Sequence, residues 1–367
     1  MKNILIGPIT FLMLVSVASA QQSPKQIWQG SEMDAVLIGK LSDAIASKLR
    51  AEFAKTDKAV RDAHAKAHGC VKAALTVSER LEGSGLDQGV FAKGGTSYKA
   101  WIRFSNGSGD PSADDRVAGA RGMAIKLFGV EGAKFMDDEK STQDFQMIDH
   151  PVFFVKNVAD YIQFSADGKE FFATHLQEAA VVGAISNPTT NAPKHPVEST
   201  YHSMTPRQWG PVDKMRPVKF AAKPIPCVDG QGLPSPVLLK DSPDALRIAL
   251  SETLASRDAC FAFQVQQQSN DTDMPVDDPV KLWDPSVSKF QTVAKIVINK
   301  QSFESAAQKT FCEDLSITPW HSIADHQPLG GIELARKPIY ETISKLRHEL
   351  NQRPRVEPTG DETFHSQ

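Results

Sequence analysis

The chain has 367 residues, with 41 lysines and arginines against 44 aspartates and glutamates, 41% hydrophobic residues and 8% aromatic ones. This ordinary balance excludes a collagen-like or low-complexity protein. The formal net charge of −3 argues against a dedicated nucleic-acid-binding protein, which needs a basic surface to neutralise phosphates. The length is enough for one large or two medium domains.

The first twenty residues predict an export signal. Lys2 gives a positive start, residues 4–17 are almost wholly apolar, and Ala18-Ser19-Ala20 matches the small-x-small pattern of a cleavage site. The apolar run is shorter than the roughly 20 residues that a membrane-spanning helix needs. We therefore expect cleavage after Ala20, a periplasmic or secreted protein, and no stable membrane span. An uncleaved anchor is the alternative.

Residues 21–55 are predicted to form an N-terminal helical arm, because Leu41, Ile45, Leu49 and Phe53 recur at helical spacing. The segment 187–227 is rich in Pro, Thr and Asn and is typical of long loops around short elements. The other predicted elements are strands at 71–77, 98–105, 123–128, 151–155, 260–267 and 292–299, and helices at 243–256, capped by Ser242, and at 334–350. Strands in runs favour a mainly antiparallel sheet or barrel with helices outside it.

The cysteine content leaves the redox state open. Four cysteines in an exported chain permit two disulfides with three possible connectivities. The alternative is buried free thiols, since a chain of this length does not need covalent crosslinks. The cysteines are Cys70, Cys227, Cys260 and Cys312, and their wide spacing excludes a CxxC redox or zinc motif.

The last long helix carries a candidate site. Its apolar stripe consists of Ile339, Ile343, Leu346 and Leu350. Arg336, Tyr340 and Arg347 share a second face, roughly 70° around the helix from that stripe. A phenol and two guanidiniums beside the buried face suit a buried anionic partner, and the alternative is a solvated Arg–Tyr edge. Because Pro338 is tolerated only in the first turn, we expect this helix to begin near Leu334.

A basic segment lies just before the first predicted strand. It contains Arg61, His64, Lys66 and His68. Two histidines at i and i+4 on a helix are a zinc-binding pattern, but a third ligand is lacking nearby, so we do not expect a zinc site. Histidines in an exposed loop, without a specific task, are the ordinary alternative.

Two further blocks follow along the chain. Arg103 and Ser105 alternate along a predicted strand and so point to one face of it. Residues 121–126 begin another strand with Arg-Gly, and a short apolar segment with paired phenylalanines follows His150. Each block is weak by itself, but their order along the chain is informative.

Together these blocks resemble the catalase superfamily of haem proteins, and more narrowly its small catalase-related members. In order, they are Arg-x-x-His-x-Lys at 61–66, similar to the distal histidine segment; Arg-Phe-Ser at 103–105 and Arg-Gly-x-Ala-x-Lys at 121–126, similar to barrel strands; Pro-Val-Phe-Phe at 151–154, similar to the strand over the haem; and Arg336, Tyr340 and Arg347, similar to the proximal helix. The resemblance implies an α+β fold, a catalase-like antiparallel β-barrel with surrounding helices and a C-terminal proximal haem helix. The haem domain would span residues 56–353, and a flexible tail would follow at 354–367.

The resemblance also implies roles for residues that hold a haem b cofactor. Tyr340 would be the proximal iron ligand as a phenolate, and Arg336 would keep that phenolate ionised. Arg61, Arg103 and Arg347 would pair with the haem propionates. The aromatic residues expected to pack against the macrocycle and its channel are Phe153 and Tyr161.

On the distal side, the resemblance implies that His64 accepts and returns the peroxide proton, oriented by a hydrogen bond with Ser105. His68 is the alternative distal base. His64 is preferred because Arg61 stands three residues before it, as the family pattern requires.

The sequence departs from the family where a distal asparagine would help to hold peroxide. Ile148 and Asp149 occupy that region. We include Asp149 among the candidate catalytic residues, although an ionised carboxylate accepts hydrogen bonds and cannot donate one to peroxide. This departure favours a slower peroxidase over fast dismutation.

The resemblance therefore predicts a haem-dependent peroxide-metabolising enzyme of the catalase or peroxidase type. Its substrates would be hydrogen peroxide or small organic hydroperoxides, together with an electron donor that the sequence does not identify. One alternative is a lipid-hydroperoxide-converting enzyme similar to allene oxide synthases, and another is a haem-binding protein with little turnover. Because the chain ends soon after the proximal helix, we expect neither an NADPH site nor a large interlocked tetramer, and a homo-oligomer remains open.

Overall fold

The computed structural model describes residues 32–81, 83–228, 232–233 and 241–364. The predicted export signal at 1–20 and the first part of the predicted arm therefore lie outside the described residues.

The described chain contains nine strands and six α-helices. The strands are β1 (Ala67–Val77), β2 (Ser97–Asn106), β3 (Arg121–Phe128), β4 (Thr142–Ile148), β5 (Tyr201–His202), β6 (Arg207–Trp209), β7 (Arg216–Ile225), β8 (Ala259–Gln267) and β9 (Gln291–Ile298). The helices are α1 (Glu32–Thr56), α2 (Val158–Asp167), α3 (Leu176–Ser186), α4 (Ala245–Ser256), α5 (Ala306–Asp314) and α6 (Gly331–Leu350).

The strands form a closed antiparallel barrel. The order is β5-β4-β3-β2-β1-β9-β8-β7, and β5 pairs with β7 as well as with β4, so that eight of the described strands complete a ring. β6 continues the sheet beside β7. The predicted α+β fold with an antiparallel barrel and helices outside it is confirmed.

Alternation along the strands separates the barrel core from the outer face. Ile102, Phe104 and Phe145 are fully buried inside the barrel. Arg103 and Ser105 alternate with Ile102 and Phe104 along β2 and therefore point to the opposite face. This alternation places polar, chemically useful side chains outside the barrel core, under the helices.

Helix α1 packs along α6. Leu49 of α1 lies in one hydrophobic cluster with Leu346, and Leu41 lies in another with Ala335. The predicted arm is thus part of the compact fold. Within the described residues, no helix combines the length and the apolar character needed to cross a bilayer.

The predicted strand at 151–155 is wrong, because this segment is a loop. Pro151 has no amide hydrogen for a strand ladder, and the chain turns here into α2, where the Asn157 side chain accepts a hydrogen bond from the Asp160 N–H at 2.9 Å. The strand that completes this part of the barrel is β4, which lies earlier in the chain and for which no strand was predicted.

The predicted loop region 187–227 contains a ten-residue strand, β7. Pro217 and Pro224 make the segment resemble a loop. Both lie close to a strand end, where a missing amide hydrogen is better tolerated than in a strand centre.

Two predicted helix starts are also corrected. Helix α4 begins at Ala245 with Asp244 as its N-cap, because the Ser242 hydroxyl accepts a hydrogen bond from the Asp244 N–H at 3.2 Å instead of capping a helix that starts at Pro243. Helix α6 begins three residues before Leu334, so Pro338 lies inside it and cannot donate the usual backbone hydrogen bond to the preceding turn.

The tail is packed through Phe364 and is not loose as predicted. The Trp101 indole N–H donates to a Glu362 carboxylate oxygen at 2.8 Å, and the Phe364 ring lies 5.2 Å from that of Phe311. These contacts tie the described part of the tail, residues 354–364, to the outside of the barrel. Residues 365–367 lie outside the described residues.

All four cysteines form disulfides, which resolves the question that the sequence left open. Cys70 of β1 pairs with Cys312 of α5, and Cys227 pairs with Cys260 of β8. The first bridge joins residues 242 positions apart, and the second joins residues 33 positions apart. The bridge between Cys70 and Cys312 fixes α5 against the barrel.

Replacing both Cys70 and Cys312 with alanine is expected to lower the free energy of unfolding by about 2–5 kcal/mol, because the crosslink restricts the unfolded chain over a long loop. The measurement is urea unfolding followed by circular dichroism. The matched control is the alanine pair at Cys227 and Cys260, which closes a shorter loop and is expected to cost less. Equal or reversed losses would contradict this account.

Candidate active site

A cavity of about 470 Å³ lies between the outer face of β2–β4 and helices α1, α2, α3 and α6. This volume falls within the roughly 300–1,000 Å³ typical of cofactor and ligand pockets. The predicted site residues in its wall are Arg61, His64, Arg103, Ser105, Phe153, Tyr161, Arg336, Tyr340 and Arg347. The structure thus brings together nine of the ten residues proposed from the sequence.

His64 lies in the short loop that leads into β1, and its backbone adopts the left-handed conformation with φ 57°. Its Nδ1 is 3.0 Å from the Ser105 hydroxyl oxygen. Burial, together with the positive charges of Arg103 and Arg336, lowers the pKa of His64 to about 4. The imidazole is therefore neutral at neutral pH, and Ser105 holds one of its two nitrogens.

Gly122 makes this arrangement possible by close approach. A β-carbon at this position would lie 2.6 Å from His64 Nδ1 and 2.6 Å from the Ser105 hydroxyl oxygen. Any larger residue would push the two partners apart. The Arg-Gly pair at the start of β3 thus has a specific role in the site.

His68 does not reach the cavity. It lies within β1 with 1% of its surface exposed, and its Nε2 is 3.1 Å from an Asp115 carboxylate oxygen. The geometry therefore favours His64 over His68 as the histidine of the site.

Tyr340 and Arg336 lie one turn apart on α6. The Arg336 guanidinium donates a hydrogen bond to the Tyr340 phenol oxygen at 2.8 Å, and it also contacts the carboxylate of Glu333 at 2.5 Å and the amide oxygen of Gln146. Burial lowers the pKa of Arg336, but Glu333 and Tyr340 outweigh burial and raise it above its usual range. A permanent cation thus lies beside the phenol oxygen.

Arg61, Arg103 and Arg347 meet at the C-terminal end of α5. Arg61 pairs with the Glu313 carboxylate at 2.8 Å, Arg103 lies 3.7 Å from it, and Arg347 donates to the Glu313 backbone carbonyl. Arg61 also donates to the Leu315 carbonyl at 2.8 Å. Cations are favoured here, because the last carbonyls of a helix carry partial negative charge.

This arginine cluster carries more positive charge than the Glu313 carboxylate neutralises. Burial and the neighbouring Arg61 lower the pKa of Arg103 to about 9 and that of Arg347 to about 9. The buried Nε of Arg103 has no hydrogen-bond partner in the part of the chain that the structure describes. The three guanidiniums exceed the single carboxylate of Glu313 by two positive charges, so the cluster is complementary to a ligand that carries two carboxylates.

The aromatic wall is formed by Phe153 and Tyr161, whose rings are stacked with centroids 6.4 Å apart and planes inclined by 17°. Burial raises the pKa of Tyr161 to about 12. This second tyrosine of the cavity therefore stays protonated, and it supplies a flat, mainly apolar surface.

Asp149 does not line the cavity, contrary to its predicted place in the site. Its carboxylate accepts a hydrogen bond from the Arg121 N–H at 2.7 Å, and its own N–H donates to the Arg121 carbonyl at 2.9 Å. These bonds continue the β3–β4 pairing and turn the side chain away from the cavity. Ile148 lines the cavity instead.

A separate acidic group that resembles a metal site is already neutralised. Oxygen and nitrogen ligand atoms of Glu139, Asp144 and His321 lie within 4.8 Å of one another. The buried Lys126 ammonium contacts all three, at 3.0 Å from Asp144 and 3.1 Å from His321. Lys126 is therefore the cation of this cluster.

Sequence reasoning missed four residues of the site. They are Gly122, Gln146, Glu313 and Glu333. Gln146 lies two residues before Ile148 on β4 and so faces the same side, but no strand was predicted there. Nothing in the local pattern singles out Glu313, whose place depends on the packing of α5.

Comparison with known proteins points to one family. The catalase family model matches residues 22–198 of the chain. This match spans slightly less than half of the chain, and it supports membership of the catalase superfamily. No curated protein matches it in sequence.

Three solved catalases share the fold of this chain. A fungal catalase is 18% identical with a TM-score of 0.64, over 95% of this chain and 70% of that one. Catalase A from Saccharomyces cerevisiae is 16% identical with a TM-score of 0.62, over 96% and 72%. A bacterial catalase is 15% identical with a TM-score of 0.61, over 100% and 74%.

The family match and the shared fold support a haem catalase-type oxidoreductase. The cavity fits such a cofactor in three respects: its volume, the Tyr340 oxygen in its wall and the surplus of two positive charges at the arginine cluster. The unpartnered Nε of Arg103 is a donor available to a propionate.

Proposed function

We propose that the chain is an exported haem b peroxidase that acts on hydrogen peroxide or small organic hydroperoxides and oxidises a small-molecule electron donor. One observation carries the proposal: the same cavity is lined by Tyr340, which lies beside the cation Arg336, and by a neutral His64. A periplasmic or secreted location follows from the predicted signal at 1–20.

When bound, haem would supply the redox-active iron that exchanges electrons with peroxide. Tyr340 would ligate that iron through its phenolate oxygen, with Arg336 balancing the negative charge. Arg61, Arg103 and Arg347 would hold the two propionates as charge-assisted pairs. Phe153 and Tyr161 would pack against the ring.

His64 would move the peroxide proton. With Nδ1–H donating to the Ser105 hydroxyl, Nε2 keeps its lone pair and accepts the proton from a peroxide oxygen. The same nitrogen then returns the proton to the leaving oxygen as general acid. Ser105 fixes the tautomer and the ring plane and is therefore a positioning residue.

The distal wall favours a peroxidase over a fast catalase. Ile148 lines the cavity and Asp149 is turned toward Arg121, so neither side chain can donate a hydrogen bond to peroxide. The amide of Gln146 is engaged by Arg336 and by the Ile317 carbonyl. We therefore expect oxidation of electron donors to outpace oxygen evolution.

One experiment tests this proposal. The protein is loaded with haem, its ultraviolet–visible spectrum is recorded, and oxygen evolution and donor oxidation are measured on the same sample. We expect the high-spin ferric spectrum of tyrosinate-ligated haem, with donor oxidation the faster reaction. Absence of that spectrum would overturn the proposal, and haem uptake with negligible turnover would favour a haem-binding protein.

The apolar wall supports a second candidate, conversion of lipid hydroperoxides. Leu41 and Ile45 of α1 and Val182 and Ile185 of α3 line the cavity. Turnover of a fatty-acid hydroperoxide is compared with that of hydrogen peroxide under identical conditions. Much faster consumption of the lipid substrate would overturn the proposed peroxidase function in favour of lipid-hydroperoxide conversion.

Replacing Gly122 with alanine is expected to lower peroxide turnover by about 100-fold, because a displacement of about 1 Å in a catalytic group has effects of that size. The new methyl group would separate His64 from Ser105, while haem uptake is expected to persist. The measurement is steady-state donor oxidation together with the haem spectrum.

The matched control is Gly183→Ala in α3, where a β-carbon meets no atom within 4 Å. This variant is expected to keep the activity of the parent protein. Full activity in Gly122→Ala would show that the contact between His64 and Ser105 is not needed for turnover.

A further inference from the structure

A second cavity, of about 220 Å³, shares a wall residue with the first. Among the described wall residues, Met204 is the one that both cavities share. The volume of the second cavity is below the lower limit of about 300 Å³ for pockets that hold drug-sized ligands, so this cavity suits a small molecule. None of its chemistry is used by the proposed peroxidase reaction.

Lys219 of β7 supplies the unusual feature of this cavity. Its residue surface is only 4% exposed, and the hydrogen bond found for its ammonium group is a long one of 3.5 Å to the Lys281 carbonyl. An ammonium group has three donors, so most of its hydrogen-bonding capacity is unmet. No ion pair to Lys219 is found among the residues that the structure describes.

The acidic group that acts on Lys219 offsets this charge only in part. Asp278 influences Lys219 electrostatically, but its carboxylate lies 3.3 Å from the Lys156 ammonium instead. Burial therefore dominates and lowers the pKa of Lys219 to about 7. A buried cation without a paired anion is costly, and an anionic ligand would relieve that cost.

The rest of the wall defines the body of such a ligand. The Lys219 ammonium lies 5.2 Å from the Trp283 ring centre, and Phe220 and Phe290 add further aromatic surface. The His202 ring also lines the cavity, and no hydrogen bond to its nitrogens is found in the described part of the chain. The cavity thus combines two basic groups with an apolar, mainly aromatic surround.

We propose that this second cavity is a binding site for a small organic monocarboxylate with an apolar, benzoate-sized body. Its carboxylate would pair with the Lys219 ammonium and accept a hydrogen bond from His202. Its body would pack against Trp283 and Phe290. This inference does not depend on haem or on peroxide turnover.

Isothermal titration of the haem-loaded protein with benzoate tests the proposal. We expect saturable binding of one benzoate, and at least about tenfold weaker binding of the neutral analogue benzamide, because a hydrogen bond to a charged group is lost. Lys219→Met is expected to weaken benzoate binding by about 10- to 100-fold for the same reason. The methionine fills a similar volume without charge, so this variant is expected to be no less stable to heat than the parent.

The matched control is Lys223→Met on the same strand, where the lysine is exposed. It is expected to leave benzoate binding unchanged, which separates the site from general surface charge. Unchanged binding in Lys219→Met would overturn the proposal and would point to the arginines of the first cavity. Equal affinity for benzoate and benzamide, or no binding of benzoate, would also overturn it, and this comparison needs only the parent protein.

Discussion

Replacing Tyr340 with phenylalanine is expected to abolish the tyrosinate-type ferric spectrum of the haem-loaded protein and to lower turnover at least 100-fold. Tyr340 of α6 lines the cavity, and its phenol oxygen accepts a hydrogen bond from the Arg336 guanidinium at 2.8 Å. Loss of a partner that merely orients a metal ligand costs about 10- to 100-fold, so loss of the ligand itself should cost at least as much. The measurements are haem titration and donor oxidation.

Tyr161 provides the matched control for this experiment. It lines the same cavity, but burial raises its pKa to about 12, so its oxygen stays protonated. Tyr161→Phe is therefore expected to keep the tyrosinate spectrum, with at most a modest loss of haem affinity. An unchanged spectrum in Tyr340→Phe would overturn the assignment of the iron ligand.

The arrangement of side chains on α6 shows which features of the site the sequence could predict. The spacing of Arg336, Tyr340 and Arg347 places all three on one helix face, and the cavity wall contains all three. Helical periodicity is a local property, so a shared helix face can be predicted from the sequence without knowledge of tertiary packing. The same holds for Arg103 and Ser105, which share one face of β2.

Other features depend on packing between distant segments and were not predictable. Glu313 reaches Arg61 only because α5 ends beside the loop that leads into β1. Asp149 is turned away because the β3–β4 pairing extends to Arg121. Neither contact leaves a pattern in the residues around it.

Prolines account for two of the errors in secondary structure. Pro217 and Pro224 suggested a loop where β7 forms, and Pro338 suggested a later start for α6. In both elements tertiary packing outweighs the loss of a backbone hydrogen bond. Leu346 and Ala335 of α6, for example, are buried against α1 and stabilise the helix on both sides of Pro338.

Replacing His64 with alanine is expected to lower peroxide turnover by about 10²- to 10⁴-fold, the usual contribution of a general acid–base group. Haem uptake and the tyrosinate spectrum are expected to remain, since Tyr340 and the arginines are untouched. His68→Gln is the matched control. It lies outside the cavity and keeps a side-chain amide for Asp115, so turnover is expected to stay close to that of the parent.

The pH profile gives an independent readout of the same role. Because the pKa of His64 is lowered to about 4, the free base is present above that pH and is lost as the pH falls through it. Propionates paired with Arg103 would offset one of the charges that lower this pKa, which moves the acid limb of the activity from 4 toward the ordinary value of about 6.5. We therefore expect turnover to be independent of pH above about 6.5 and to fall on acidification between these limits. In His64→Ala the residual rate should lose this acid limb. If the limb persists in that variant, another group carries the proton, and the assignment of His64 as the base is wrong.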